Sequence, residues 1–107
     1  GVVSGKTTDK SHLFTPFYDE SGRAPMIQEC PVNMLCRVTQ TVAASGFTMF
    51  LGEITAVYAD ESGVTSGQID PVKVNPMVMM YPSYFQLGQV VGTVFKDGAD
   101  YQKSLGL

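Results

Sequence analysis

Tryptophan is absent from this sequence, histidine occurs once, cysteine twice, and charged residues make up only 16% of it. With His12 the only imidazole and Cys30 and Cys36 the only thiols, a structural zinc site lacks ligands, and no metal site is expected. The same scarcity leaves no serine–histidine–acid set, and no pair of acids stands at a convincing catalytic spacing. Two cysteines make no disulfide framework. Six residues apart on an extended strand they would lie about 20 Å from one another, too far to bridge, so both are expected as reduced, small buried apolar side chains. Seven Lys and Arg against ten Asp and Glu give a net charge of −3 with no basic run. That argues against nucleic acid as a main partner, because neutralising a phosphate backbone takes clustered cations. No stretch approaches the roughly 20 apolar residues of a membrane span, so no membrane partner is expected, and none reads as a secretory leader.

The chain is not a disordered one, since 44% of its 107 residues are hydrophobic. It is long enough for one small domain burying roughly two-thirds of its unfolded surface. The opening segment, GVVSGKTTDK, has the composition of an anion-binding loop: Gly1 and Gly5 let backbone approach, Lys6 brings charge, Thr7 and Thr8 bring hydroxyls. It is not the Walker A loop. Three residues, Val2 to Ser4, separate the glycines where that loop requires four, and Pro16 limits any helix that follows.

Leu13, Phe14, Phe17 and Tyr18 have helical spacing, but Pro16 and the DESGRAP run confine them to a turn or short helix. After Pro31 the text alternates. Val32, Met34, Cys36, Val38 and Gln40 point one way, and Asn33, Leu35, Arg37, Thr39 and Thr41 the other, predicting a half-buried strand near 32–43. AASG marks a turn, and FTMFLGEITAVYA a second strand near 47–59, paired antiparallel with the first. Gly52 within it predicts a bulge or a close backbone approach. The expected core of this hairpin is Val32, Met34, Cys36 and Val38, with Leu51 or Phe50. The later segment holds three prolines and a dense group of methionines, Met77, Met79 and Met80. It predicts short strands and irregular chain, ending in a mobile tail from Asp97.

Five segments in order, GVVSGKTTDK, APMIQECPVNMLCRV, FTMFLGEITAVYAD, VNPMVMM and LGQVVGTVF, resemble the flavin reductase-like family of the flavoredoxin type. The resemblance covers nearly the whole chain. It implies a mainly β fold, an FMN-binding split β-barrel, of which residues 1–107 form the C-terminal part of a single domain. It implies FMN as cofactor, a homodimer, a cytoplasmic setting, and NAD(P)H or a redox protein as electron partner. It also implies either electron transfer or NAD(P)H-dependent flavin reduction. The rival reading is a non-catalytic FMN-binding or structural module of the same fold. By this resemblance the ribityl phosphate of FMN lies against Ser4, Gly5, Lys6 and Lys10, with Asp9 orienting a lysine or capping the next turn. Tyr84 and Phe85 are the candidates to cover the flavin from the C-terminal segment. One departure stands out: family members often carry histidine in the turn before the second strand, where this chain has Phe47.

Overall fold

The computed structural model describes residues 2–107; Gly1 lies outside them. The described residues are mainly β and fall into two compact units that divide after Val74. No helix among them is long and apolar enough to cross a membrane.

In the first unit a 3-10 turn, Ser11–Leu13, leads into strand β1 (Pro16–Phe17), which pairs antiparallel with β2 (Met26–Ile27). Strands β3 (Val32–Ala44) and β4 (Phe47–Ala59) form the dominant element, a long antiparallel hairpin. A second 3-10 turn, Glu61–Gly63, precedes the small β5 (Val64–Thr65) and β6 (Gln68–Ile69) ribbon and the single-turn helix α1 (Pro71–Val74). The second unit holds the short ribbon of β7 (Val78–Met80) and β8 (Ser83–Phe85), then helix α2 (Lys96–Ser104).

The long hairpin follows from its sequence. Thirteen-residue runs rich in β-branched and aromatic side chains flank a turn in which Gly46 has φ +83°, a conformation that favours glycine. Two bulges interrupt the ladder. Val38 faces Gly52 while Gln40 faces Leu51, leaving Thr39 as the extra residue on β3. Cys36 faces Ile54 while Leu35 faces Ala56, leaving Thr55 as the extra residue on β4. Side chains alternate between bulges, so Val32, Met34, Cys36, Val38, Phe50, Ile54 and Val57 share one face by register, and Leu51 lies on the other. Gln40 therefore does not continue the face of Val38, as strict alternation predicts, because the bulge at Thr39 reverses the parity.

The expected core is corrected more deeply. The only buried hydrophobic side chain among the described residues is Met26, at 3% exposure. Met34, Val38, Phe50, Ile54 and Val57 are 48% to 65% exposed, and Cys30 and Cys36, expected as buried, are both exposed as well. Sequence alternation identifies the apolar face of the hairpin but says nothing of how far that face is buried. From Lys96 the C-terminal residues form α2, supported by a Lys96–Asp100 ion pair of 3.1 Å one turn apart and by the Ser104 hydroxyl donating to the Tyr101 carbonyl.

Candidate functional site

The segment Ser4–Lys10 folds as a tight turn organised by Ser4. Its carbonyl accepts from the Thr7 and Thr8 amides, at 3.2 and 3.1 Å, and from the Thr7 hydroxyl. Its own hydroxyl oxygen accepts from the Lys6 amide at 3.2 Å. Asp9 accepts from the Ser11 amide at 2.9 Å, an Asx turn that opens the 3-10 turn after it, and this backbone donor holds the Asp9 carboxyl below its usual range. Asp9 thus bonds the first residue of the turn, while Lys10 stands at its N-cap position. Lys10 folds back so that its ammonium donates to the Val3 carbonyl, closing the loop.

This arrangement sorts the expected phosphate donors. The amides of Lys6, Thr7 and Thr8 are spent on Ser4, so they do not form a backbone cradle. The Gly5 amide, the Lys6 ammonium and the Thr8 hydroxyl have no hydrogen-bond partner among the described residues. A Cβ built at Gly5 would meet nothing within 4 Å, so ligand approach is open there. One amide, one ammonium and hydroxyl donors on a loop with no free carboxylate except the capped Asp9 make a donor set that fits a phosphate group.

Tyr84 and Phe85 lie on β8 in the second unit, facing Met79 and Val78 across the ribbon. As consecutive strand residues they point to opposite faces, so a single planar ligand on one face of the ribbon can meet only one of them.

Two features of the first unit went unmarked in the sequence. A cleft of about 460 Å³ is lined by Phe17, Gln28, Cys30, Asn33, Tyr58 and Asp60. Phe17 and Tyr58 meet edge to face, with centroids 6.5 Å apart. Asn33 fixes this region: its side chain both donates to and accepts from the Ile27 backbone, and donates to the Cys30 carbonyl. An asparagine two residues after a proline is the one available signal of such a brace. Glu29 makes the second brace, accepting from the Thr15 amide at 2.9 and 3.0 Å and from its hydroxyl at 2.8 Å. Neither this cleft nor the smaller one beside Arg23 and Arg37 includes a residue of the 4–10 loop.

Residues 1–88 match the model of the flavin reductase like domain. Among solved structures, flavoredoxin from Methanosarcina acetivorans is 40% identical, with a TM-score of 0.86 over 94% of this chain and 55% of its own. Flavoredoxin of Desulfovibrio vulgaris (Miyazaki F) is 30% identical, with a TM-score of 0.78 over 92% of this chain and 55% of its own. The chain thus spans just over half the length of these relatives. No curated protein matches it.

Proposed function

The chain belongs to the flavin reductase-like family, and from that premise we propose that it is part of an FMN-binding flavoprotein of the flavoredoxin type that carries electrons. The observation that carries this reading is the agreement with the Methanosarcina flavoredoxin over 94% of the chain at 40% identity. Bound flavin supplies one- and two-electron redox chemistry, and the protein supplies position and electrostatics. In this reading Ser4, Gly5 and Lys6 receive the ribityl phosphate, with the Thr8 hydroxyl as a further donor. Asp9 and Lys10 hold the loop in shape, one by capping the turn and the other by tying it to Val3. One of Tyr84 and Phe85 flanks the ring. The proposed assembly is a homodimer of split barrels, with NAD(P)H or a redox protein as electron source.

Phe47 favours electron carriage over direct hydride uptake. It opens β4 opposite Ala44, is two-thirds exposed, and cannot donate a proton or hydrogen bond to a reduced nicotinamide or flavin. The test is a titration of FMN and of riboflavin followed by flavin fluorescence. It is run on the chain alone and on the chain mixed with the part of the Methanosarcina flavoredoxin that it does not match. A phosphate-reading loop predicts at least tenfold tighter binding of FMN than of riboflavin in whichever sample binds flavin. Equal affinity for the two, or no flavin in either sample, overturns the reading.

A further inference from the structure

The cleft between Phe17 and Asp60 carries negative charge without a counter-ion. Among the described residues that line its 460 Å³, Asp60 brings a carboxylate and none is lysine, arginine or histidine. The two ion pairs among the described residues join other groups, Arg37 to Glu53 and Lys96 to Asp100. Asp60 accepts from the Ser62 amide at 2.8 Å, at the start of the Glu61–Gly63 turn. Contacts from Ser62, its side chain first and its amide second, hold the Asp60 carboxyl below its usual range, so it is ionised at neutral pH. A carboxylate offers about four lone-pair positions, and the Ser62 amide occupies one of them.

The rest of the lining suits a cation. Asp60 has extended backbone, φ −69° and ψ 143°, so it falls on the same side as Tyr58 two residues earlier. The Tyr58 ring meets Phe17 edge to face, and an aromatic face attracts a cation held over it. The Tyr58 hydroxyl and the Gln28 side-chain oxygen make no hydrogen bond among the described residues, although their neighbours Asn33 and Asp60 do. With Asp60 they offer three acceptors, and a primary ammonium carries three donors. The walls are tied together: Asn33 holds the Ile27 and Cys30 backbone, and the Asp60 amide donates to the Pro31 carbonyl at 2.8 Å. A site ordered before its ligand arrives loses less on binding, and this volume lies in the ordinary range of small-molecule sites.

We propose that this cleft binds a small organic primary ammonium ion. Asp60 is its counter-ion, the Tyr58 hydroxyl and the Gln28 side-chain oxygen are further acceptors, and the Phe17–Tyr58 pair lies against its apolar body. No residue of the 4–10 loop lines the cleft, and the Asp60 charge opposes a phosphate, so the two places take ligands of opposite sign. The assignment stands on the cleft alone and holds whether or not the chain binds flavin.

The probe is phenethylammonium, with 2-phenylethanol as the neutral molecule of the same shape, each titrated into the protein and followed by NMR. The ammonium ion should saturate one site and bind at least tenfold more tightly than the alcohol. Asp60→Asn keeps an oxygen for the Ser62 amide and removes the charge. It should bring the ammonium ion down to the affinity of the alcohol and leave the amide signals of residues 61–63 in place. Tyr58→Leu should weaken the ammonium ion at least threefold. The thiols give a second readout that needs no variant, because both are exposed but only Cys30 lines this cleft. Saturating phenethylammonium should slow alkylation of Cys30 by iodoacetamide at least threefold and leave that of Cys36 unchanged. Absence of saturable binding, equal affinity for the ion and the alcohol, full binding by Asp60→Asn, or equal protection of the two thiols overturns the proposal.

Discussion

Thr39 and Thr55 occupy equivalent places on opposite strands of the long hairpin. Each is the residue left over at a bulge, and each sends its hydroxyl across to the other strand: Thr39 to the Leu51 carbonyl and Thr55 to the Leu35 carbonyl, both at 3.2 Å. A bulge disrupts the ladder locally and leaves main-chain groups without their regular partners. Here a β-branched residue that suits extended backbone also supplies the missing donor. The bulges set which residues share the apolar face, so these two hydroxyls bear on the hairpin's register as well as its stability.

Thr39→Val and Thr55→Val keep the shape and remove the hydroxyl. Each should lower stability in urea unfolding by about 0.5–1.5 kcal/mol, the ordinary net worth of a hydrogen bond. Thr→Ser keeps the donor and should recover most of the loss. If the valine variants match the parent, the cross-strand bonds contribute nothing and the bulges are held by packing alone.

Gly52 stands opposite Val38 at the first bulge, and a Cβ there would lie 3.1 Å from the Cβ of Cys36. The obstacle is a backbone-anchored atom, so it does not swing aside. Gly52→Ala should destabilise by about 1–2 kcal/mol, the overpacking cost less the gain from a stiffer unfolded chain. Cys36→Ala retains the Cβ and should not rescue it, whereas Cys36→Gly should do so in part. Equal rescue by both would show that the sulfur, 4.0 Å away, is the true obstacle.

The hairpin was legible in the sequence almost to the residue, because alternation, the AASG turn and the glycine at 52 all act locally. Phe50 rather than Leu51 on the shared face was a pair left open, and the bulge register resolves it. What alternation cannot carry is burial. Met34 and Val38 read as core because such side chains are apolar at one face, yet among the described residues both stay more than half exposed. In the 4–10 loop the residue types raise the expectation of an anion site. The inward turn of three amides onto Ser4 could not be read, since it depends on backbone torsions that several sequences share. The Glu29–Thr15 and Asn33–Ile27 braces were missed because they join residues whose proximity only the fold creates.

Glu29 carries a pH dependence with a definite sign. The Thr15 amide, then its hydroxyl, hold the Glu29 carboxyl below the usual glutamate value of 4.5. A carboxyl depressed by folding stabilises the native state above its unfolded pKa, and that contribution is lost as pH falls from the ordinary glutamate range through the lower native value. Titration of Glu29 by NMR should give a midpoint below that of a model peptide. Thr15→Val, which keeps the amide, should return it only part of the way. A midpoint equal to that of the peptide would mean that the brace does not persist in solution.

Lys6 and Lys10 carry the same charge four residues apart, but the fold gives them different work. The Lys6 ammonium is without a partner among the described residues, whereas that of Lys10 is bonded to the Val3 carbonyl. Lys6→Ala should therefore weaken FMN by about 1–3 kcal/mol, roughly 5- to 150-fold, through loss of a charge-assisted contact, and leave riboflavin unchanged. Lys10→Ala should also weaken FMN, by releasing the loop, and should speed exchange of the Thr7 and Thr8 amides that Lys6→Ala leaves protected. Lys10→Gln separates tether from charge: its amide can still donate to Val3 but brings no charge to the phosphate. Recovery of most FMN affinity in the glutamine variant identifies Lys10 as a positioning residue. Binding no better than in the alanine variant would mean that the phosphate reads the ammonium itself. If FMN binds all three variants as it binds the parent, the loop is an ordinary polar turn. The family assignment would survive that result, since it rests on residues 1–88 as a whole and not on this turn.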